Sequence, residues 1–441
     1  MNNLNFLVDV LKESPVFKTL EKNVKPGRTV CASGLSTINK SNIIYALCRL
    51  KGVTAFCLAS DEKEAQTLCN DLSCMGLRAY VYPVRDFNFL DFQSRSHEYE
   101  HARLKVLLKL LNHECDVAIA CVDAAVQLTV PRNVLEQSVI EFEEGRELSL
   151  EKATKALTLL GYERFDAVEG SGQFSLRGGI LDFFMPDSDY PVRCEFWGDE
   201  ITDLSYFDIE TQRRFKKADK ITLSPSTEIV IEDRAALADK IEHKAKLLRS
   251  KDSAKAKEKL FSEAELIRSG AMIANADKFI NQIYDKPESL FDYLDRNTLV
   301  FASEFTAIQE RGKSMDFISN ETLMQGFEDG TLCRGFDRFA LTFNECTEFL
   351  QSHGTIVLEN FVHGSMPIKL SEIIRFLKKQ LSAWGGSYKQ LKEDVDGLFT
   401  PESKGVIFAG TERAAKNLCD TFNADGINAV YSEGADKISK G

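Results

Sequence analysis

Proline is scarce in this chain, ten in 441 residues, and no segment is disordered by composition. No apolar run approaches the roughly 20 residues of a membrane-spanning helix. The N-terminus, MNNLNFLVDVLKESPVF, lacks the basic n-region and long apolar core of a signal peptide. It reads as a short amphipathic helix, and the expected location is the cytoplasm. There is no CxxC, and the 11 cysteines follow no framework spacing; Cys69 and Cys74 are the closest pair. Cys31, Cys57 and Cys121 sit inside apolar runs, as reduced, buried small hydrophobes do. The six histidines are scattered and suggest no metal pattern. An excess of basic charge is also missing. A formal net charge of −12 argues against an extended nucleic-acid surface, though not against a local basic groove.

What is present is a soluble composition, 44% hydrophobic and 28% charged, at a length that suggests three or four domains. From residue 28 to 121, strand-like runs (RTVCAS, VTAFCLAS, RAYVYPV, DVAIACV) alternate with helical ones. That alternation predicts a mostly parallel sheet with crossover helices. Asp61 stands where an N-cap belongs. After Pro131 the pattern changes to one helix over 149–160, with Ser149 as its cap, and then short β segments. A hairpin is signalled at Gly198-Asp199. TLVFASE reads as one more buried strand returning to the first sheet. The domain expectation is 1–129 for the first half of the α/β domain, 130–212 for an α+β antiparallel insert, 213–344 for the second half, and 345–441 for a small separate α/β domain. The chain stops just after a strand-like run, so the natural protein is expected to continue.

Residues 56–81 and 406–431 align without gaps: Ala59 with Ala409, Glu62 with Glu412, Leu68-Cys69 with Leu418-Cys419, and Gly76 with Gly426. Either the unit is duplicated, or two strand–helix–strand units obey the same capping rules.

The loop after the first strand, Gly34-Leu35-Ser36-Thr37-Ile38-Asn39-Lys40-Ser41, has the spacing of a phosphate-binding loop between a strand and a helix. Asn39 replaces its second glycine, which adds bulk where the backbone must approach a phosphate. The matching acidic strand end, Leu299–Glu304, offers Glu304 but puts Ser303 where a carboxylate would hold Mg²⁺. The expectation is a degenerate, helicase-like site with no catalytic residues, no metal and no cofactor. An active ATPase on Lys40 and Ser41, or a direct DNA-binding repair subunit, are the rivals.

The most specific stretch runs from Gly161 to Arg213. Its pieces Gly161-Tyr162, Gly172, Arg177-Gly178-Gly179-Ile180-Leu181-Asp182, Phe184, Pro191, Arg193, Glu195-Phe196, Gly198-Asp199-Glu200, Phe207-Asp208 and Thr211-Gln212-Arg213 keep one register. They resemble domain 2 of the bacterial transcription-repair coupling factors, a cousin of the excision protein UvrB. Segments 82–110, 116–132 and 289–304 resemble the same family's N-terminal region. Only a short linker joins Tyr82 to the helix near His97, where UvrB carries a long DNA-wedging hairpin. The resemblance implies a UvrB-like module that recruits UvrA. RNA polymerase and DNA would be engaged by later domains, where ATP and Mg²⁺ would also act. It further implies that the UvrA surface is masked within the parent protein until needed.

Carried over by position, the resemblance puts Arg164 and Arg177 at the UvrA contact. Arg193 on the neighbouring strand, Phe165 and Phe174 are added on physical grounds. A guanidinium fork on a rigid strand suits bidentate pairing with a carboxylate, and arginine is a frequent interface hot spot. The Gly178-Gly179 pair is read as permitting a bulge or a close strand approach, and the Trp197 ring as core.

Overall fold

The computed structural model describes residues 5–85, 97–138, 140–248, 254–270, 276–361, 366–377, 385–398, 405–407, 409 and 411–432. Seven strands form a wholly parallel sheet in the order Glu372–Arg375, Val30–Ser33, Thr355–Glu359, Leu299–Ser303, Ala55–Ala59, Val117–Cys121, Ala79–Val81. Val30–Ser33, Ala55–Ala59 and Val117–Cys121 are buried at every position, as strands covered on both faces must be. Helices Thr37–Lys51 and Glu62–Cys74 pack one face through Ile43, Leu47, Ala65 and Leu68. Glu98–Leu111, Phe343–His353 and the start of Phe305–Asp329 cover the other through Leu104, Leu107, Phe343 and Phe305. The expected caps form: Asp61 accepts from the Glu64 amide at 2.7 Å, and Ser149 from the Lys152 amide at 3.3 Å. Among the described residues no helix is long and apolar enough to cross a membrane.

The insert holds a six-stranded sheet in the order Arg214–Lys217, Glu200–Phe207, Val192–Trp197, Ile180–Phe183, Gln173–Arg177, Glu163–Arg164. All neighbours are antiparallel except the last pair, which is parallel. One face packs on the helix Leu150–Leu159 and on the two-stranded pair Ile140–Glu143 with Lys220–Leu223. The hairpin at Gly198 forms with φ 63°.

Two expected boundaries move. The insert does not end at 212, because Arg214–Lys217 extends its sheet and Ile221 and Leu223 are buried in its core. A separate domain does not begin at 345 either. Thr355–Glu359 lies inside the large sheet between Val30–Ser33 and Leu299–Ser303. An apolar strand of five residues carries no mark of which sheet it will join, so the sequence pattern alone could not place it.

The insert is tied back through a buried polar cluster. Arg103, fully buried, donates to both carboxylate oxygens of Glu228 at 2.6 and 3.3 Å and stacks 4.1 Å from the Tyr82 ring centroid. Thr129 also donates to Glu228, at 2.7 Å. Glu228 follows the insert directly, so the pair fixes the chain's return to the helix Glu98–Leu111.

The two units of the internal alignment share the helix, its caps and one thiol bond. Helices Glu62–Cys74 and Glu412–Ala424 start at Asp61 and Thr411 and are followed by left-handed Gly76 and Gly426. The Cys69 thiol donates to the Ala79 carbonyl at 3.4 Å, and Cys419 to Ala429 at 3.2 Å. Phe56 and Cys57 are buried in the large sheet, whereas their counterparts Val406 and Ile407 are exposed.

Candidate functional site

The loop after Val30–Ser33 has the phosphate-loop position but turns its donors inward. The amides of Gly34 and Leu35 donate to the carbonyls of Asn360 and Glu359, at 3.2 and 3.0 Å. Gly34 has φ 84°, and a Cβ there would lie 2.1 Å from the Phe376 carbonyl oxygen. Asn39 uses its side-chain oxygen to accept from the Ser36 amide and hydroxyl, at 3.2 and 2.7 Å. It therefore closes the helix start rather than opening it to a ligand.

Lys40 is 3% exposed, and its ammonium donates to Ser303 Oγ at 2.8 Å, Glu304 Oε1 at 2.7 Å and Glu64 Oε1 at 3.3 Å. An ammonium has three donors, and all three point to the protein's own oxygens. Ser41 donates to Asp71 at 2.8 Å. Ser303 relays to Glu64 at 2.6 Å. Beside them, Glu359 is fully buried; burial first, and then the neighbouring Glu304, push its carboxyl up to about 7. The sequence-predicted loop residues thus do converge with Ser303 and Glu304, as an internal polar knot.

The outer face of the insert's sheet behaves differently. The core side carries Val192, Cys194 and Phe196, so alternation turns Arg193, Glu195 and Trp197 outward. Asp182, nearly fully buried, accepts from Arg177 at 2.8 Å and from Arg193 at 2.7 and 2.8 Å. Arg177 keeps a side chain 51% exposed. Arg164 is exposed and finds no side-chain partner among the described residues, and Phe165 beside it is 44% exposed.

Three expectations are corrected here. Phe174 is buried in the insert's core, because its strand position faces the helix Leu150–Leu159, so it offers no contact surface. Arg193 is only 13% exposed. Besides Asp182 it binds Gln212 twice at 3.1 Å and lies 4.4 Å from the Phe207 ring centroid. It positions Asp182, and through it Arg177. Trp197 is not core but exposed, because it ends its strand at a hairpin tip.

Residues 140–229 match the family model described as the UvrB interaction domain. The whole chain is 25% identical to the transcription-repair-coupling factor of Bacillus subtilis (strain 168), over 98% of this chain and 37% of the relative. The chain is a relative of the transcription-repair coupling factors. The factor of Staphylococcus epidermidis is 24% identical over 80% of this chain and 30% of its own length. That of Staphylococcus aureus (strain MRSA252) is 22% identical over 94% of this chain and 36% of its own length. The chain therefore spans about a third of these coupling factors, and the matched interaction domain contains the whole outer face just described.

One signal was passed over in the sequence. His97-Glu98-Tyr99-Glu100-His101 has the H-E-x-x-H spacing of a zinc helix. His97 Nδ1 instead pairs with Glu100 at 3.0 Å, and His101 stacks on His97 at 5.9 Å. Among the described residues no group of His, Cys, Asp or Glu is arranged to hold a metal. Burial pushes the thiols of Cys48, Cys115 and Cys346 up to about 12.

Proposed function

We propose that this chain serves transcription-repair coupling as a docking module, binding UvrA through the outer face of the insert's sheet. Nucleotide excision repair would thereby be recruited where RNA polymerase has stalled. Engagement of RNA polymerase and DNA is assigned to further domains of the kind that make up the rest of the relatives' length. The single observation that carries the reading is the presentation of Arg177 on the outer face of the segment that matches the interaction domain, with Arg164 and Phe165 exposed on the edge strand beside it. Arg177 is held in place by a buried carboxylate yet remains half exposed, which suits a preorganised bidentate contact. The inward donors of Lys40 and Ser41 support a purely structural role for the old phosphate loop, with no catalysis and no cofactor in this part of the protein.

Calorimetric titration with UvrA tests the reading. The chain should bind, and Arg177→Ala should weaken binding about thirtyfold, the effect of losing roughly 2 kcal/mol at a hot spot. Binding unchanged by that substitution would move the interface. No binding by the unaltered chain would overturn the proposal.

A further inference from the structure

The docking face carries one large side chain that the resemblance did not assign to it. Trp197 is 81% exposed, the most exposed aromatic residue among the described residues, and its indole makes no hydrogen bond or ring contact with them. A single surface hydrophobe is ordinary, but the setting of this one is not. It sits at the tip of the hairpin formed by Val192–Trp197 and Glu200–Phe207, and that tip is held from two sides. On one side the Phe196 amide donates to the Gly179 carbonyl at 2.8 Å, and a Cβ on Gly179 would come within 2.7 Å of the Phe196 carbonyl oxygen. Only glycine permits this approach, so the Arg177-Gly178-Gly179 turn is pressed against the Trp197 hairpin. On the other side the Gly145 and Leu148 amides donate to the carbonyls of Ile201 and Asp199, each at 2.7 Å.

The indole therefore projects from a rigid tip, at the same end of the sheet and on the same outer face as Arg177. A rigid, solvated tryptophan loses little conformational freedom on binding. Tryptophan and arginine are the two side chains most enriched at interface hot spots, where they sit in desolvated pockets.

We propose that Trp197 is a second anchor of the docking face. Its ring fills an apolar slot on the partner protein beside the carboxylate that receives Arg177. This rests on the docking reading above. The partner it fits offers an acidic group and an apolar recess side by side, with an acceptor for the indole N–H.

The test titrates UvrA into the full chain and its Trp197→Ala, Trp197→Phe and Arg177→Ala variants, with thermal unfolding alongside. Trp197→Ala should weaken binding by about thirtyfold or more at an unchanged Tm, and Trp197→Phe by less than about fivefold. If Arg177→Ala weakens binding while Trp197→Ala does not, this inference falls and the docking reading stands. If Trp197→Ala lowers the Tm, the ring is a folding group and the inference falls. If the unaltered chain does not bind, the docking reading falls and this inference falls with it.

Discussion

At Lys40 a cation meets three acceptors from its own chain; at Arg164 a cation meets none among the described residues. The two sites share the ingredients of recognition, basic side chains placed just after glycine-containing turns in regular structure. They differ in whether the rest of the fold has already answered the charge. Around Lys40 the carboxylates of Glu64 and Glu304 and the hydroxyl of Ser303 stand where a ligand's oxygens would, so the loop has become part of the scaffold. On the insert, one buried carboxylate, Asp182, orients two arginines and leaves Arg177 half in water. A motif's spacing shows where a side chain lies. Its remaining hydrogen-bond capacity shows what it can still do.

The largest effect that would sharpen this contrast belongs to Lys40→Met. It removes the cation that Glu64 and Glu304 converge on and should lower stability by on the order of 3 kcal/mol, read from urea unfolding. ATP should not stabilise the parent chain, and a nucleotide-dependent rise in Tm that Lys40→Met abolishes would break the comparison. Next comes the contrast between two arginines of the insert. Arg193→Ala leaves Asp182 short of its main partner and should cost about 2 kcal/mol of folding stability. Arg164→Ala should change stability by less than about 0.5 kcal/mol, its effect appearing in UvrA binding instead. Equal stability losses would mean that Arg164 is tied into the fold no less than Arg193.

The smallest effect is a pH dependence. Glu359 holds its proton up to about 7 in the folded chain, against 4.5 for an ordinary glutamate. Its contribution to stability is therefore complete below about 4.5 and is lost as pH rises through about 7. Glu359→Gln keeps the neutral form, so its Tm advantage over the parent should widen between about pH 5 and pH 8. A constant difference across that range would show that Glu359 is not proton-linked to folding.

Much of this was legible in the residues. The strand–helix alternation, the caps at Asp61 and Ser149 and the hairpin at Gly198 all follow from periodicity and turn chemistry, which act over a few residues. The misjudged features depend on how elements come together rather than on residue type. Thr355–Glu359 reads as a strand, but nothing local says it enters the first sheet. Trp197 reads as core because tryptophan usually is, and only its place at a hairpin tip puts it in water. Arg193 and Arg177 look alike in sequence, and the difference between positioning and presenting rests on Asp182 and Gln212, each within 19 positions of Arg193.

The order of the large sheet also sets a timetable. Val30 lies beside Ile356 and Glu372, with no other strand at its sides. During synthesis at about 5–20 residues per second, the first strand waits roughly 15–65 s for its nearest neighbour to leave the ribosome. Ala55–Ala59, Val117–Cys121 and Ala79–Val81 can pair in that interval, and the insert is made and can close on its own core. The docking face is thus complete before the scaffold that carries it, and Val30–Ser33, with both edges open, is the segment that most needs shelter from aggregation while the chain is unfinished.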